Sequence, residues 1–294
     1  MDDTVDRQWV ADLVRATIEE DLAGGVDVTT TATIDPDQVS VAELVARADG
    51  VVAGLEIAEL VIRLVAAPAE VELEYSVTDG ATVHRGDVLM TIRGKTRQLL
   101  TAERTTLNLL CHLSGVATLT RRWVDAVEGT GAVIRDTRKT MPLLRSLEKY
   151  AVRCGGGQNH RMGLSDAALI KDNHVIAAGG VAEAFRLVRK AYPELSVEVE
   201  VDSVDDALIA VESGAELILL DNMDLPLLRE AVEKVAGRAR LEASGGLTLD
   251  RARAVAETGV DYLAVGALTH SAPVLDIALD LRAEPGSEMD HGDS

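Results

Sequence analysis

The sequence predicts an α/β protein in which an N-terminal α+β sandwich domain precedes an incomplete (β/α) barrel of about six parallel strands. The 294 residues suffice for one large or two medium domains. From about residue 130, short apolar runs alternate with helical patterns, which is typical of right-handed βαβ units. About six units can be counted, fewer than the eight of a closed barrel, and no dinucleotide fingerprint favours an open doubly wound sheet.

The first domain is predicted to span residues 1–115 and to mix helices with strands. Apolar side chains at helical spacing predict three helices, over residues 8–20, 54–67 and 99–123. The first should end at Gly24-Gly25 and the second at Pro68, and the third should be broken near Ser114-Gly115, after an interruption at Gly94. Alternation and turn signals predict strands over residues 40–48 and 71–90.

The second domain is predicted to span residues 116–272. Its apolar runs, read as strands, are residues 132–134, 168–170, 197–201, 217–220, 241–243 and 262–265. Its helical patterns cover residues 142–153, 180–191, 204–213, 225–236 and 248–258. A last helix over residues 273–283 is expected to return to the first domain, and the polar tail 284–294 is expected to be disordered.

Composition excludes several classes of function. The chain is 47% hydrophobic and 27% charged, as ordinary globular proteins are, but its net charge is −20. Such acidity argues against binding the phosphate backbone of nucleic acids or an anionic membrane surface. The acidic N-terminus does not resemble a signal peptide, and Cys111 and Cys154 lack metal-site spacing. A cytoplasmic protein with reduced thiols is therefore expected.

Basic residues are concentrated in residues 133–174 despite this acidity. Arg138 and Lys139 follow one apolar run, Arg161 follows a glycine-rich loop, and Lys171 follows the next apolar run. A single lysine at such a position is more often a solvated charge. Two lysines at corresponding strand ends, Lys139 and Lys171, with two arginines nearby, indicate a pocket for a multiply anionic ligand. Arginine matches carboxylates with two hydrogen bonds, and lysine suits phosphate as a point charge. His160 beside Arg161 is either a packing residue or part of this pocket.

Acidic residues and glycines end the later strands. Glu198, Glu200 and Asp202 share one face of a strand, where they either contact a ligand or pair with the lysines. Glu200 and Asp221, at strand ends, are candidates to hold Mg²⁺ or to stabilise positive charge on a sugar ring. Ser244-Gly245-Gly246 and Gly266 follow the last two strands. Each loop alone is a common turn, but together they suit a phosphate, because glycine lets backbone N–H groups approach it.

These residues together resemble the quinolinate phosphoribosyltransferase family along nearly the whole chain. The matching motifs keep the family's order and spacing. They are Glu20-Asp21 with Asp27-Val-Thr29-Thr30, residues 77–89, Glu103-Arg104-Thr-Thr-Leu-Asn108, Leu113-Ser114-Gly115-Val-Ala-Thr118, Asp136-Thr137-Arg138-Lys139-Thr140, Gly155-Gly-Gly-Gln-Asn-His160-Arg161, Lys171-Asp-Asn-His174, Glu198-Val-Glu200, Leu220-Asp221-Asn222 and Glu242-Ala-Ser244-Gly245-Gly246. Leu22-Ala23 and Val116 are mild departures.

The resemblance implies the reaction of quinolinate with phosphoribosyl pyrophosphate to give nicotinate mononucleotide, pyrophosphate and CO₂, a step of NAD biosynthesis. Lys139, Lys171, Glu200 and Asp221 would be catalytic, and the last two would face Mg²⁺ directly or through water. The other implied substrate-binding positions are Arg104, Thr137, Arg138, His160, Arg161, Ser244, Gly245, Gly246, Val265, Gly266 and Ala267. The resemblance also implies a homodimer or higher oligomer, in which Arg104 is lent to the partner's site.

Three other readings stay open from sequence alone. A related phosphoribosyltransferase acting on nicotinate would need fewer cations, since its substrate has one carboxylate. A barrel aldolase would use Lys171 as a Schiff-base amine, which requires a desolvated lysine. A non-enzymatic sensor would bind a pyridine dicarboxylate without turnover.

Overall fold

An antiparallel sheet organises the first of two units in the computed structural model, which describes residues 5–66 and 71–282. This unit comprises the described residues up to Thr118 and those from Pro273 onward. Its strands are β1 (Val39–Ala46), β2 (Gly50–Val51), β3 (Glu72–Tyr75), β4 (Thr82–Val83), β5 (Val88–Lys95) and β12 (Ile277–Arg282). Four of them form a sheet in the order β12-β1-β5-β3, and β2 pairs with β4.

Among the described residues, four helices belong to this unit, and all but α2 lie where the sequence predicts a helix. They are α1 (Arg7–Leu22), α2 (Val28–Thr33), α3 (Leu55–Val65) and the N-terminal part of α4 (Thr96–Ala126). Asp6 caps α1 by accepting hydrogen bonds from the backbone N–H groups of Gln8 and Trp9. The predicted end of α3 at Pro68 lies outside the described residues.

The predicted C-terminal helix over residues 273–283 is wrong, because Ile277–Arg282 form strand β12. This strand pairs antiparallel with β1, with Leu279 opposite Leu44. Large apolar residues alternate with small or polar ones from Ile277 to Arg282, a period of two that suits a half-buried edge strand. The strand lies in the first unit, so the predicted return of the chain to that unit is made by a strand rather than a helix. Residue 283 and the tail lie outside the described residues.

The predicted break near Ser114-Gly115 is also wrong, because α4 is continuous over 31 residues. Gly94 does not interrupt the chain either, since it lies within β5. Both residues of the expected break have packing roles. The Ser114 hydroxyl accepts a hydrogen bond from the backbone N–H of Ala53 at 3.0 Å. A Cβ atom on Gly115 would lie 2.2 Å from the Pro273 carbonyl oxygen, so only glycine fits there.

We therefore expect Gly115→Ala to destabilise the protein, although alanine is the better helix former by about 1 kcal/mol. The overlap is with backbone, which cannot move aside as a flexible side chain can, and overpacking of this kind costs roughly 1–3 kcal/mol. Thermal unfolding should show a lower Tm for this variant. Arg122→Ala, at an exposed position of α4, is the control and should change Tm little. An unchanged or raised Tm for Gly115→Ala would contradict the close approach.

The second unit, Leu119–Ala272, contains the six-stranded parallel sheet that the sequence predicts. Its strands are β6 (Val133–Arg135), β7 (Ala168–Ile170), β8 (Val197–Val201), β9 (Leu217–Asp221), β10 (Arg240–Ser244) and β11 (Tyr262–Ala264). They are ordered β6-β11-β10-β9-β8-β7, all parallel neighbours. Strands β6 and β7 form the two ends of this ladder, so the prediction of an incomplete barrel of six strands is confirmed.

Helices follow the strands in this unit. They are α5 (Arg145–Cys154), α6 (Asp172–Ala178), α7 (Val181–Ala191), α8 (Val204–Glu212), α9 (Leu225–Val235), α10 (Ala252–Ala256) and α11 (Ala267–His270). The predicted helix over residues 248–258 is instead a 3₁₀ turn, Leu249–Arg251, followed by α10. Helix α6 was not predicted, and none of its residues is buried, so it lacks the apolar stripe that reveals a helix in sequence. No helix among residues 5–66 and 71–282 is long and apolar enough to cross a membrane.

Candidate active site

A cavity of about 540 Å³ opens where the strands of the parallel sheet end. This is the edge at which (β/α) barrels carry their functional residues. Eleven of the residues singled out in the sequence line it: Thr137, Arg138, Lys139, His160, Arg161, Lys171, Glu200, Asp221, Ser244, Gly245 and Gly246. The fold thus brings together side chains that lie more than one hundred positions apart in the chain.

Two arginines in this cavity have unused hydrogen-bond donors. The Nε atoms of Arg138 and Arg161 are both buried and have no hydrogen-bond partner among residues 5–66 and 71–282. One other nitrogen of Arg161 donates to the Ala167 carbonyl at 3.1 Å. Burial, together with the neighbouring charge of Arg138, lowers the pKa of Arg161. A buried guanidinium donor without an acceptor is costly, so this pair is prepared for an anionic ligand.

The loop that carries His160 and Arg161 is fixed by a buried ion pair. Lys149 and Asp136 are both fully buried, and the Lys149 ammonium donates to the Asp136 carboxylate. Asp136 also accepts from the His160 backbone N–H at 2.8 Å and from the Asn159 amide at 2.6 Å. Lys149 donates in addition to the His160 carbonyl at 3.0 Å. Burial raises the pKa of Asp136 and lowers that of Lys149, and their mutual attraction opposes both shifts.

His160 itself has both ring nitrogens engaged within the protein. Nδ1 accepts a hydrogen bond from the Arg161 backbone N–H at 2.8 Å, so the ring hydrogen lies on Nε2. Nε2 donates to Glu198 at 2.6 Å. The ring lines the cavity, but neither nitrogen is free to donate to a substrate carboxylate. The prediction that His160 belongs to the pocket fits its position, and its contacts favour a supporting role.

The acids of the strand ends lie at one side of the cavity. The Lys171 ammonium contacts the Glu200 carboxylate at 2.5 Å, and Asp221 accepts from the Asn222 amide at 2.7 Å. Glu200 and Asp221 also line an adjoining cavity of about 280 Å³. Three further acids line that cavity: Asp172, Asp202 and Asp206. Five carboxylates around one small space favour a hard cation such as Mg²⁺ in chemical terms.

The loop after β10 requires glycine for two reasons. Gly245 has φ +88°, a conformation that other residues adopt with strain. A Cβ atom on Gly245 would also lie 2.2 Å from the Asn222 side-chain oxygen. Asn222 has φ +55°, and its backbone N–H donates to the Ser244 carbonyl at 2.9 Å. The loops after β9 and β10 therefore hold each other in place at the cavity.

The loop after β11 contacts Lys139 rather than lining the cavity. Predicted residues Val265, Gly266 and Ala267 are not among the lining residues, although the preceding Ala264 is. The Thr269 hydroxyl donates to the Lys139 carbonyl at 2.7 Å. A Cβ atom on Gly266 would lie 3.0 Å from the Lys139 side chain. This loop thus positions a cation of the site.

Arg104 is the predicted site residue that the second unit does not contain. It is exposed on α4, in the first unit. Its predicted function in a partner's site remains a prediction.

Five residues of the cavity were not predicted as site residues: Leu169, Leu219, Asn222, Glu242 and Ala264. Asn222 and Glu242 belong to motifs that carry the family resemblance. The sequence therefore marked their positions, but it did not indicate what either residue does. The three apolar residues lie on strands and point into the barrel, where an alternating pattern places them, but an apolar strand residue carries no sign of ligand contact.

Comparisons with known proteins identify the family of the chain. Residues 27–114 match the family model described as the N-terminal domain of quinolinate phosphoribosyl transferase, and residues 116–280 match the model of its C-terminal domain. The nicotinate-nucleotide pyrophosphorylase [carboxylating] of Mycobacterium leprae is 54% identical over 92% of this chain and 96% of its own length. The crystal structure of the nicotinate-nucleotide pyrophosphorylase from Francisella tularensis is 35% identical, with a TM-score of 0.89, over 95% of this chain and 98% of that one.

Two further proteins are similar to this chain, one in sequence and one in fold. A tobacco quinolinate phosphoribosyltransferase [decarboxylating] is 39% identical over 94% of this chain and 83% of its own length. The crystal structure of human nicotinic acid phosphoribosyltransferase has a TM-score of 0.61 at 14% identity, over 92% of this chain and 74% of that one.

Proposed function

The chain belongs to the quinolinate phosphoribosyltransferase family and has its decarboxylating activity in NAD biosynthesis, and we propose that the cavity described above performs this reaction with Mg²⁺. Phosphoribosyl pyrophosphate and quinolinate would be converted to nicotinate mononucleotide, pyrophosphate and CO₂. We also propose that the working enzyme is a homodimer with shared active sites.

One observation carries the assignment of quinolinate to this cavity. Arg138 and Arg161 each hold a buried Nε–H that has no acceptor in the part of the chain that the structure describes. A dicarboxylate supplies acceptors for both, and hydrogen bonds between charged partners are the strong ones. Nicotinate has one carboxylate, so it would leave part of this donor set unused. The donor pair therefore supports a dicarboxylate over the monocarboxylate alternative.

The chemistry required of the protein is positioning and electrostatic stabilisation. Departure of pyrophosphate leaves positive charge on the ribose, and Glu200 and Asp221 lie at the cavity with carboxylates that stabilise it. The two arginines orient the pyridine ring so that its nitrogen attacks the ribose carbon. Loss of CO₂ leaves an electron pair on the ring carbon, which the same cations stabilise before a proton replaces the carboxylate.

Glu200 and Asp221 are the residues that would hold Mg²⁺. The five carboxylates of the adjoining cavity fit a divalent cation, because they are oxygen ligands whose repulsion a cation relieves. Lys171 already contacts one oxygen of Glu200, which leaves fewer carboxylate oxygens for the ion. Its remaining ligands would therefore come from water and substrate. When bound, Mg²⁺ would neutralise charge on the pyrophosphate group.

Phosphate binding is assigned to Ser244, Gly245 and Gly246, which line the cavity. Glycine at these positions allows backbone N–H groups to approach a phosphate closely. Lys139 would contribute its positive charge from the loop after β6. Val265, Gly266 and Ala267 would contribute indirectly, by positioning Lys139.

A Schiff-base mechanism at Lys171 receives no support from its surroundings. Its side chain is 46% exposed and is paired with Glu200. A nucleophilic amine of this kind requires desolvation or a neighbouring positive charge that lowers its pKa. The half-exposed Lys171 ammonium is not desolvated in this way.

The test is release of labelled CO₂ from carboxyl-labelled quinolinate. We expect release that depends on both phosphoribosyl pyrophosphate and Mg²⁺. Binding of quinolinate without release would instead indicate a sensor, and release without phosphoribosyl pyrophosphate would contradict a transferase.

Shared sites lead to a prediction for Arg104, which is exposed on α4. We expect Arg104→Ala to be inactive alone and to regain activity when mixed with Lys171→Ala, because a mixed dimer would contain one site with both residues intact. Activity of the mixed, re-equilibrated sample measures this. Mixing two separate preparations of Arg104→Ala is the control. No recovery in hybrids shown to have formed would count against a shared site.

A further inference from the structure

Two carboxylates meet beneath the cavity with fewer donors than their oxygens need. Glu198 is 3% exposed and Glu242 is fully buried. One oxygen of Glu198 accepts from His160 at 2.6 Å, and one oxygen of Glu242 accepts from Arg135 at 2.5 Å. The other oxygen of each, Oε1, is buried and has no hydrogen-bond partner within the described ranges 5–66 and 71–282. The Oε1 atom of Glu242 lies 3.6 Å from His160 Nε2, which is too far for a good hydrogen bond.

The charges of this cluster do not balance unless it holds a proton. His160 is neutral, because its Nδ1 accepts a hydrogen bond and its Nε2 carries the hydrogen. Arg135 supplies one positive charge against two carboxylates, so the cluster has a net charge of −1. An uncompensated buried charge costs several kcal/mol. A proton on one carboxyl group removes the charge and supplies the missing donor.

A metal ion fits the same space less well. The ligand atoms of His160, Glu198 and Glu242 lie within 4.8 Å of one another. However, the Nε2 atom of His160 carries a hydrogen and offers no lone pair to a metal. The guanidinium of Arg135 already binds Glu242 and would repel a cation.

We propose that Glu242 takes up a proton when quinolinate binds, so that binding of this substrate is linked to pH. The inference rests on the proposed function, since it requires an anionic ligand in the cavity. Glu242 is among the residues that line the cavity, so a bound dianion lies close to its carboxyl group. Two negative charges at short range favour protonation of the weaker acid.

The electrostatics of the free protein agree with this assignment. Burial, followed by the charge of Glu198, raises the pKa of Glu242 to about 7. The charged or titratable groups facing it are Arg135 of β6, His160, Glu198 of β8 and Tyr262 of β11, whose ring lies under Arg135 at 4.7 Å. Neighbouring Leu219 of β9 adds no charge. Near neutral pH the free protein is therefore divided between the two forms of Glu242.

The sign of the pH effect follows from this pKa and from its rise on binding. Below pH 7 most free protein already holds the proton, so binding takes up little. Above pH 7 the free protein is ionised, and binding draws in a proton from solvent. The affinity for quinolinate should then fall as pH rises, by at most about tenfold per pH unit.

Calorimetric titration with quinolinate at pH 8, in two buffers of different ionisation enthalpy, measures the proton uptake directly. We expect the wild-type protein to take up nearly one proton per quinolinate bound and Glu242→Gln close to none. Any proton that the ligand itself takes up is the same for both proteins and is subtracted. Glu43→Gln is the matched control, because Glu43 is a buried carboxylate that pairs with Arg282 in the other unit. It should take up as many protons as the wild type.

Equal proton uptake by the wild type and Glu242→Gln would overturn the inference. If Glu242→Gln does not fold, the affinity of the wild-type protein for quinolinate is the test. An affinity that is unchanged between pH 7 and pH 8.5 would also overturn the inference. A divalent cation that purified wild type retains and Glu242→Gln loses would also contradict it, since the metal would occupy the place of the proton. Absence of quinolinate binding to the wild type at any pH would contradict the proposed function itself and this inference with it.

Discussion

Arg161→Ala and Arg138→Ala are each expected to lower kcat/KM for quinolinate by about 10²- to 10⁴-fold, since two hydrogen bonds to a charged group are worth roughly 3–6 kcal/mol. The physical reason is the pair of buried Nε–H groups, for which the described residues supply no acceptor. A carboxylate that engages them would be bound in the ground state and held in the orientation for attack. Both KM and kcat are therefore expected to change.

Arg186→Ala is the control for general effects of losing an arginine. Arg186 is exposed and pairs with Glu183 on α7, outside the cavity, so its loss should leave kcat/KM unchanged. The KM for phosphoribosyl pyrophosphate should change less than the KM for quinolinate, because these arginines are assigned to the pyridine ring. Near-normal turnover at low quinolinate in both cavity variants would refute their assignment.

Lys149→Met is expected to lower the free energy of unfolding by about 3–5 kcal/mol, the usual cost of leaving a buried charge without its partner. Asp136 and Lys149 are fully buried, and methionine fills a similar volume without the ammonium. The His160 carbonyl would lose a donor as well. Denaturant unfolding at pH 7.5 measures the change, and a loss below 1 kcal/mol would contradict a charged pair.

The pH dependence of this variant has a defined sign. Burial raises the pKa of Asp136, and removal of Lys149 raises it further. A folded-state pKa above the unfolded value means that ionisation destabilises the protein as pH rises between the two values. Lys149→Met should therefore lose less stability at pH 5 than at pH 7.5. The double variant Asp136→Asn/Lys149→Met is the matched control and should recover part of the loss at pH 7.5.

The sequence was sufficient to predict the parallel sheet and most of the cavity. Apolar runs and helical patterns alternate in the second unit, and strand ends of a parallel sheet converge on one edge. Arg138, Lys171 and Asp221 could therefore be placed together without knowledge of their contacts. The local hydrophobic pattern gave a wrong prediction where it fits both a helix and a strand. Residues 277–282 contain both helical and alternating spacings, and only pairing with β1 decides between them.

The support beneath the cavity could not be predicted in the same way. Arg135 and Glu242 are separated by 107 positions, and their contact depends on how the strands are ordered in the sheet. The Lys149 ammonium reaches Asp136 from a helix whose pattern indicates an ordinary amphipathic element. Such contacts depend on the folded arrangement of strands and helices, and no sequence motif predicts them.

We propose that Arg138 and Arg161 bind the two carboxylates of quinolinate at the ends of the parallel strands. A crystal structure of the protein with quinolinate tests it most directly. We expect carboxylate oxygens about 3 Å from the Nε atoms of both arginines, within the cavity of the second unit. Quinolinate bound elsewhere, or bound in this cavity with both Nε atoms still lacking an acceptor, would contradict the claim.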